Sequence, residues 1–99
     1  MLQVPQNGSA LLKDTIEAIN FFIALPQGTV TERRITSGPS TVFVYRSSYE
    51  GHEGIIVQCY QIGGDTSYMA LLISAIENAG YQPLKPYAGV HFYLSSKRD

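Results

Sequence analysis

The sequence of 99 residues contains one cysteine, Cys59, and no tryptophan. A single cysteine excludes an intramolecular disulfide and a metal cluster held by several thiolates. It also favours a reducing compartment, so we predict a cytoplasmic protein. The N-terminus has neither the basic start nor the apolar run of a signal peptide, and the apolar segment 16–25 is too short to span a bilayer. We therefore expect no association with a membrane.

Charge is also scarce. Charged residues make up 15% of the chain and the formal net charge is -1, whereas charged residues are about 25% of an average soluble domain. Without a basic excess the chain lacks the electrostatic footprint that phosphate backbones require, so nucleic acid is a possible but not a favoured partner. Seven tyrosines are present, and tyrosine is enriched at protein interfaces. A protein partner or self-association is the first expectation, and a small core lined with tyrosine is the alternative.

What is present is enough for one globular domain. Hydrophobic residues make up 44% of the chain, and a chain of this length supports a single core, so we predict one domain over residues 1–99. Apolar residues recur at helical spacing after Ser9, a good N-cap, until Pro26 and Gly28 end the pattern. This segment is the first predicted helix.

A second helical pattern follows the glycine pair Gly63 and Gly64. Asp65 or Thr66 is its expected N-cap, and Gly80 supplies the glycine that commonly follows a helix end. Its outward side is small and weakly polar, a surface that another helix or subunit could approach closely. We therefore predict a protein interface on the side of this helix formed by Ser67, Ala70, Ser74, Glu77 and Asn78.

Four segments have the composition of strands, residues 29–36, 41–46, 55–62 and 90–95. The first carries Glu32, Arg33 and Arg34, and such charges are typical of an edge strand. The third is the most apolar and is expected at the centre of the sheet. Residues 47–53 between the second and third strands are polar and predict a loop.

The order α-β-β-β-α-β predicts an α+β two-layer sandwich, a four-stranded and mainly antiparallel sheet with two helices on one face. A ferredoxin-like variant, with a short additional strand over residues 2–4, is the alternative. If polar residues and tyrosines such as Arg33, Tyr45 and Tyr93 cover the other face of the sheet, the domain can be a monomer. A more apolar face would need a second protomer.

Two binding sites other than the helix surface can be drawn on this fold. Arg33, Arg34 and Arg46 with Tyr45 and Tyr49 would form a basic and aromatic patch able to stack on bases and contact phosphates. Arg33 and Arg34 point to opposite faces of an extended strand, however, which divides the patch. Ordinary surface charge on an edge hairpin is the simpler interpretation.

The second candidate is a small-molecule or anion site at the turn before the second helix, formed by Gly63, Gly64, Thr66 and Ser67. Backbone N–H groups at a helix start bind anions. The turn has no lysine of the phosphate-loop type, and Asp65 would repel an anion. A capped turn accounts for every residue equally well.

Catalysis and metal binding have weaker support. Cys59 and His91 lie on predicted neighbouring strands and could form a nucleophilic pair, but a cysteine in an apolar strand is more often a buried hydrophobe. His52 and Glu53, with Glu50 nearby, lack the ligand spacing of a known metal site. We expect no cofactor and no metal. The preferred hypothesis is a small non-enzymatic interaction or regulatory module that forms homodimers, and the two candidate sites above define the alternatives.

Overall fold

The structure, a computed structural model, describes residues 1–49, 51–63, 65–85 and 88–94. Within these ranges, two helices and four strands occur in the order α-β-β-β-α-β that the sequence predicts. They are α1 (Ala10–Ile23), β1 (Thr31–Ser37), β2 (Ser40–Tyr49), β3 (His52–Gln61), α2 (Tyr68–Asn78) and β4 (Gly89–Tyr93).

The strands form one sheet in the order β1-β2-β3-β4, and each neighbouring pair is antiparallel. The charged strand β1 is at an edge and the apolar strand β3 is inside, both as predicted. Gly38, with φ of 60°, occupies the first central position of the turn between β1 and β2, where a type II′ turn requires a positive φ. A bulge between Thr41 and Val42 shifts the register of β2 against β3.

One face of the sheet packs against both helices and forms the core. Its fully buried side chains include Val44 from β2, Val57 from β3 and Phe92 from β4. Leu12 and Ile16 of α1 and Leu72 of α2 are buried against them, among others. Burying one such side chain stabilises the fold by about 1.5–3 kcal/mol. The helix layer therefore holds one face of the sheet, and the other face is left without a covering element among the described residues.

The first helix begins and ends where the sequence predicts, but the second begins later. Ser9 is the N-cap of α1, and its hydroxyl accepts a hydrogen bond of 3.2 Å from Leu12 N. The N-cap of α2 is Ser67, so the expectation of Asp65 or Thr66 is wrong. The Asp65 carboxylate instead accepts hydrogen bonds from the hydroxyls of Ser9 and Ser67, between the starts of the two helices.

Two other expectations are corrected. The predicted loop over residues 47–53 is mostly strand, because β2 runs to Tyr49 and β3 begins at His52. Residues 1–9 contain no strand, so the ferredoxin-like alternative does not apply. Leu2 is nevertheless fixed, since the Asn20 side chain donates to its carbonyl oxygen at 2.9 Å and accepts from its N–H at 2.8 Å. An asparagine here supplies the two hydrogen bonds that a neighbouring strand would have made.

Neither α1 nor α2 is long and apolar enough to cross a membrane, and the described residues contain no other helix that could.

Candidate functional site: the open face of the sheet

The face of the sheet opposite the helices, here called the open face, carries a band of aromatic side chains. Alternation along each strand and the strand register determine which residues share it. Phe43 and Tyr45 of β2 lie beside Ile56 and Gln58 of β3, and His91 of β4 pairs with Ile56 on the other side. The remaining members are Glu32, Arg34, Thr36, Thr41, Ser47, His52, Gly54, Tyr60, Gly89 and Tyr93.

The aromatic rings form two clusters on this face. In the first, Phe43 stacks on Tyr45 with 5.9 Å between ring centroids and meets Tyr60 edge to face at 5.2 Å. The bulge before Val42 leaves Tyr60 without a directly opposed partner residue, and 63% of its surface is exposed. Contacts of this geometry orient the rings relative to one another and add to area burial. A firmly held aromatic surface is thus presented to solvent.

The second cluster lies at the opposite end of β3. Tyr93 is 5.2 Å from His52 and 5.7 Å from His91, measured between ring centroids. These rings, with Ser47, Gly54 and Ile56, line a small hollow of about 70 Å³. A larger groove of about 510 Å³ passes Val30, Glu32, Tyr45 and Gln58 on the same face. The open face therefore has concave sites as well as exposed aromatic rings.

Charge on the open face is nearly balanced. Glu32 and Arg34 are two residues apart on β1, and both are exposed. Burial raises the pKa of the Tyr45 hydroxyl above its usual value, and the neighbouring Tyr60 and Glu32 raise it further. Tyr45 is consequently a neutral hydrogen-bond donor at physiological pH. The face as a whole suits a partner that offers apolar side chains and hydrogen-bond acceptors.

The predicted basic patch is not brought together. Arg34 and Tyr45 share the open face, but the Arg33 guanidinium lies on the helix side, 5.3 Å from the ring centroid of Phe21. Arg46 is only 3% exposed and cannot reach a phosphate. Tyr49 ends β2, and its side chain lies outside what the structure describes.

Arg46 has a structural task that the sequence did not reveal. Its Nη1 donates to the carbonyl oxygens of Phe22 and Leu25, at 2.6 and 2.8 Å, and its Nη2 pairs with Glu53. Glu53 also accepts from the N–H of Gly28 at 2.8 Å. These contacts place a cation at the C-terminal end of α1, where the helix dipole favours it. Arg46 therefore joins the end of α1 to the hairpin formed by β2 and β3.

The candidate anion turn already holds a carboxylate. Gly63 has a φ of 59°, Thr66 is exposed, and Gly64 lies outside the described residues. Ser67 donates its hydroxyl to Asp65 at 3.3 Å. An external anion would meet this negative charge at close range. Asp65 does not cap α2, however, because Ser67 is the N-cap and makes no side-chain capping hydrogen bond. The anion site stays a prediction.

The candidate catalytic and metal residues are separated by the sheet. Cys59 lies on the helix side of β3 and His91 on the open face of β4, so the two cannot form a pair. Burial also raises the pKa of the Cys59 thiol. His52 and Glu53 point to opposite faces for the same reason of alternation. Within the described ranges no three His, Cys, Asp or Glu side chains are placed to hold a metal ion.

The predicted interface on α2 is on the surface. All of its members, Ser67, Ala70, Ser74, Glu77 and Asn78, are exposed and lie on the side of α2 away from the sheet. Nothing tests whether a partner covers them, so this interface stays a prediction. Four of its five side chains are polar or charged, whereas the open face carries aromatic rings.

Sequence reasoning missed the contribution of Phe43, Ile56, Tyr60 and His91 to a surface. A signal was available, since large side chains alternate along residues 41–45 and again along 56–60. Deciding that these two rows are adjacent requires the register of β2 and β3, which includes a bulge. Comparison of the chain with protein-family models, with curated proteins and with solved structures gives no match in any of the three.

Proposed function

We propose that the protein is a non-enzymatic interaction module that binds another protein through the open face of its sheet and that forms homodimers. The observation that carries this proposal is the band of aromatic side chains on a face that no described element covers. Contiguous exposed apolar surface marks an interaction site on an otherwise polar protein. Tyrosine is also a residue type over-represented at binding hot spots.

The charge distribution favours a protein over a nucleic acid as partner. Stacked aromatic rings on a sheet can also bind unpaired bases. Such platforms depend on a positively charged surround. Of the three arginines proposed for that role, Arg34 alone lies on the open face, and Glu32 on the same strand offsets it. A polypeptide partner does not require the missing positive charge.

A pair of matched charge insertions tests the proposal. Tyr60→Asp places a carboxylate in the first aromatic cluster, and Ser74→Asp places one on the outer face of α2. Proteins captured from an extract by the unmodified chain are identified, purified and titrated against both variants. We expect Tyr60→Asp to weaken binding by at least about tenfold, as loss of a hot-spot residue does, and Ser74→Asp to leave it unchanged.

The opposite pattern, with binding lost in Ser74→Asp and retained in Tyr60→Asp, would move the interface to α2. Nuclease treatment of the extract separates a nucleic-acid partner from a protein one. If the captured material disappeared with nuclease, and a purified oligonucleotide bound with a steep salt dependence, the protein partner would be refuted. Circular dichroism of each variant shows that the fold is retained.

A further inference from the structure

The free edge of β1 has the geometry of a site for one more strand. Among the described residues, no backbone group of β1 is hydrogen-bonded to any element other than β2. The opposite edge, β4, is partly covered, because Leu84 and His91 exchange two backbone hydrogen bonds of 2.7 Å. A strand edge with unpaired N–H and C=O groups is a template for another chain.

The turn that joins β1 to β2 determines which backbone groups face outward. Ser37 and Ser40 flank a two-residue turn and are therefore a hydrogen-bonded pair. Bonded and non-bonded pairs alternate along an antiparallel ladder. Arg33 consequently directs its N–H and C=O groups toward β2, whereas Glu32 and Arg34 direct theirs outward.

Hydrogen bonds elsewhere in the sheet confirm this alternation. The same alternation, followed from β1 through β2 to β3, directs the backbone N–H and C=O groups of Glu53 and Cys59 toward β4. The structure shows both bonds, from Leu94 N to the Glu53 oxygen and from Cys59 N to the Ala88 oxygen, each at 2.8 Å. The outward direction at Glu32 and Arg34 thus follows from the pattern of the whole sheet.

We propose that the protein dimerises by pairing β1 with β1 of a second copy, antiparallel and about a two-fold axis through Arg33. This inference rests on the self-association proposed above and specifies its geometry. Glu32 then lies directly opposite Arg34 of the second copy, and symmetry repeats the pair. Opposed Cβ atoms in a ladder are about 4.5–5.5 Å apart, which allows a carboxylate to reach a guanidinium.

The charges select this register over its neighbours. An axis through Glu32 would place two carboxylates opposite each other, and an axis through Arg34 would do the same with two guanidinium groups. Either shift would also lose both pairs of Glu32 with Arg34 of the second copy. In the chosen register Arg33 lies opposite Arg33 of the second copy, but both side chains are on the helix side of the sheet. There its guanidinium is held over the rings of Phe21 and Phe22, which draws it away from the edge toward α1.

Two exposed apolar side chains flank the same edge. Val30, just before β1, is 70% exposed, and Phe21 of α1 is 55% exposed. In the proposed register Val30 lies opposite Thr36 of the second copy, so strand pairing covers it. The axis is perpendicular to the sheet, and an eight-stranded sheet results. All four helices lie on one side of it and the two open faces lie next to each other on the other side.

Charge reversal with compensation tests the register. Arg34→Glu alone and Glu32→Arg alone each replace two favourable pairs by two repulsive ones, and we expect either to weaken dimerisation by roughly tenfold or more. The double variant E32R/R34E restores opposite charges across the axis and should recover the dimer. Lys13→Glu, an exposed change on α1, is the matched control. Sedimentation velocity over a concentration series measures each.

Hydrogen exchange tests whether the two β1 strands are paired through their backbones and not only attracted by their charges. In the dimer the amide hydrogens of Glu32 and Arg34 are bonded across the interface, so they should be protected at high concentration and exchange freely on dilution. A chain that stays monomeric at millimolar concentration, or a dimer unaffected by Arg34→Glu with both amides unprotected, would overturn the inference. Partner binding through the open face is judged separately by Tyr60→Asp, so failure of the edge does not refute it.

Discussion

At the scale of single residues, Arg46 shows that an almost fully buried charge can connect separate elements of the fold. A basic side chain in a β-prone segment is ordinarily assigned to the surface, and sequence reasoning placed Arg46 in a nucleic-acid patch. Its location depends on acceptors that are distant in sequence, the carbonyl oxygens of Phe22 and Leu25 and the Glu53 carboxylate. No local pattern reports such partners, so this position could not be derived from the sequence.

Arg46→Met tests the structural role. The change keeps much of the side-chain volume but removes the charged donor from the carbonyl oxygens of Phe22 and Leu25 and from the Glu53 carboxylate, and we expect a loss of about 2–4 kcal/mol in unfolding free energy. Lys13→Met, at an exposed position of α1 away from the proposed dimer edge, should stay within about 0.5 kcal/mol of the parent protein. Urea denaturation measures both. Equal small effects would show that the Arg46 contacts contribute little.

Glu53 makes stability depend on pH in a defined direction. The hydrogen bond from Arg46 has the largest effect and lowers the pKa of Glu53 below its ordinary value. Burial opposes it, and the N–H of Gly28 and the charge of Arg46 add smaller lowering effects. A lowered folded-state pKa gives stabilisation that is complete above the unfolded-state pKa of about 4.3 and is lost as the pH falls through the folded-state pKa. Glu53→Gln should therefore be less stable than the parent at pH 7, with the difference shrinking below about pH 4. A difference independent of pH would contradict this account.

At the scale of secondary-structure elements, pattern and capping rules were sufficient for α1, and for α2 apart from its start. Helical spacing, Ser9 and Gly80 fix the helices locally, and those signals are contained in the sequence. The polar residues 47–53 were misread as a loop because β-strands can be polar when one of their faces is exposed. Pairing with a neighbouring strand, which a single sequence does not show, decides that case.

The contact between the helices gives an element-scale prediction. Thr15 donates to the Leu11 carbonyl at 2.8 Å, and its hydroxyl lies 2.9 Å from the Tyr68 hydroxyl in the core. Thr15→Val leaves a buried tyrosine hydroxyl unpaired and should cost about 1–3 kcal/mol, whereas Tyr68→Phe removes that hydroxyl and should cost about 1 kcal/mol. The double variant should lose less than the sum of the two, as measured in a double-mutant cycle. Strict additivity would mean that the hydroxyls do not interact.

Strand pairing gives a second prediction at this scale. A Cβ atom on Gly89 would lie 2.2 Å from the carbonyl oxygen of Val57, so β4 could not keep its distance from β3. Gly89→Ala should destabilise the protein by roughly 2 kcal/mol or more, because the backbone of β4 would have to move away from β3. This is a large effect for one methyl group. Ala88→Gly, at the exposed neighbouring position, is the control. A melting temperature unchanged by Gly89→Ala would show that the strands separate at little cost.

At the scale of the whole molecule, the two-layer architecture could be predicted but the binding surface could not. The order of elements limits the topology to few choices, and the apolar rows of β3 and β4 identify the face that meets the helices. The open face depends on which residues of separate strands become neighbours. That information lies in the register, so Phe43 and Tyr60 could not be joined to His91 and Tyr93 from the sequence alone.

The links between elements predict a single cooperative transition. Arg46 joins α1 to the β2–β3 hairpin, and Asp65 joins the starts of both helices. Neither layer can open without exposing the shared core. Unfolding followed by helical circular dichroism and by tyrosine fluorescence should therefore give coincident transitions, as expected for a small two-state domain. Separated midpoints would show that the helices or the sheet can melt independently.

The sequential order of the sheet has a consequence for how the chain acquires its structure. Only two residues separate β1 from β2 and β2 from β3, so both pairings close short loops, and hairpins form within microseconds. The pairing of β4 with β3 must close a loop that contains α2, which costs more chain entropy. We expect the three-stranded meander to be the earliest protected part in pulse-labelled refolding, with β4 added last. During synthesis, that meander is complete before β4 has been translated.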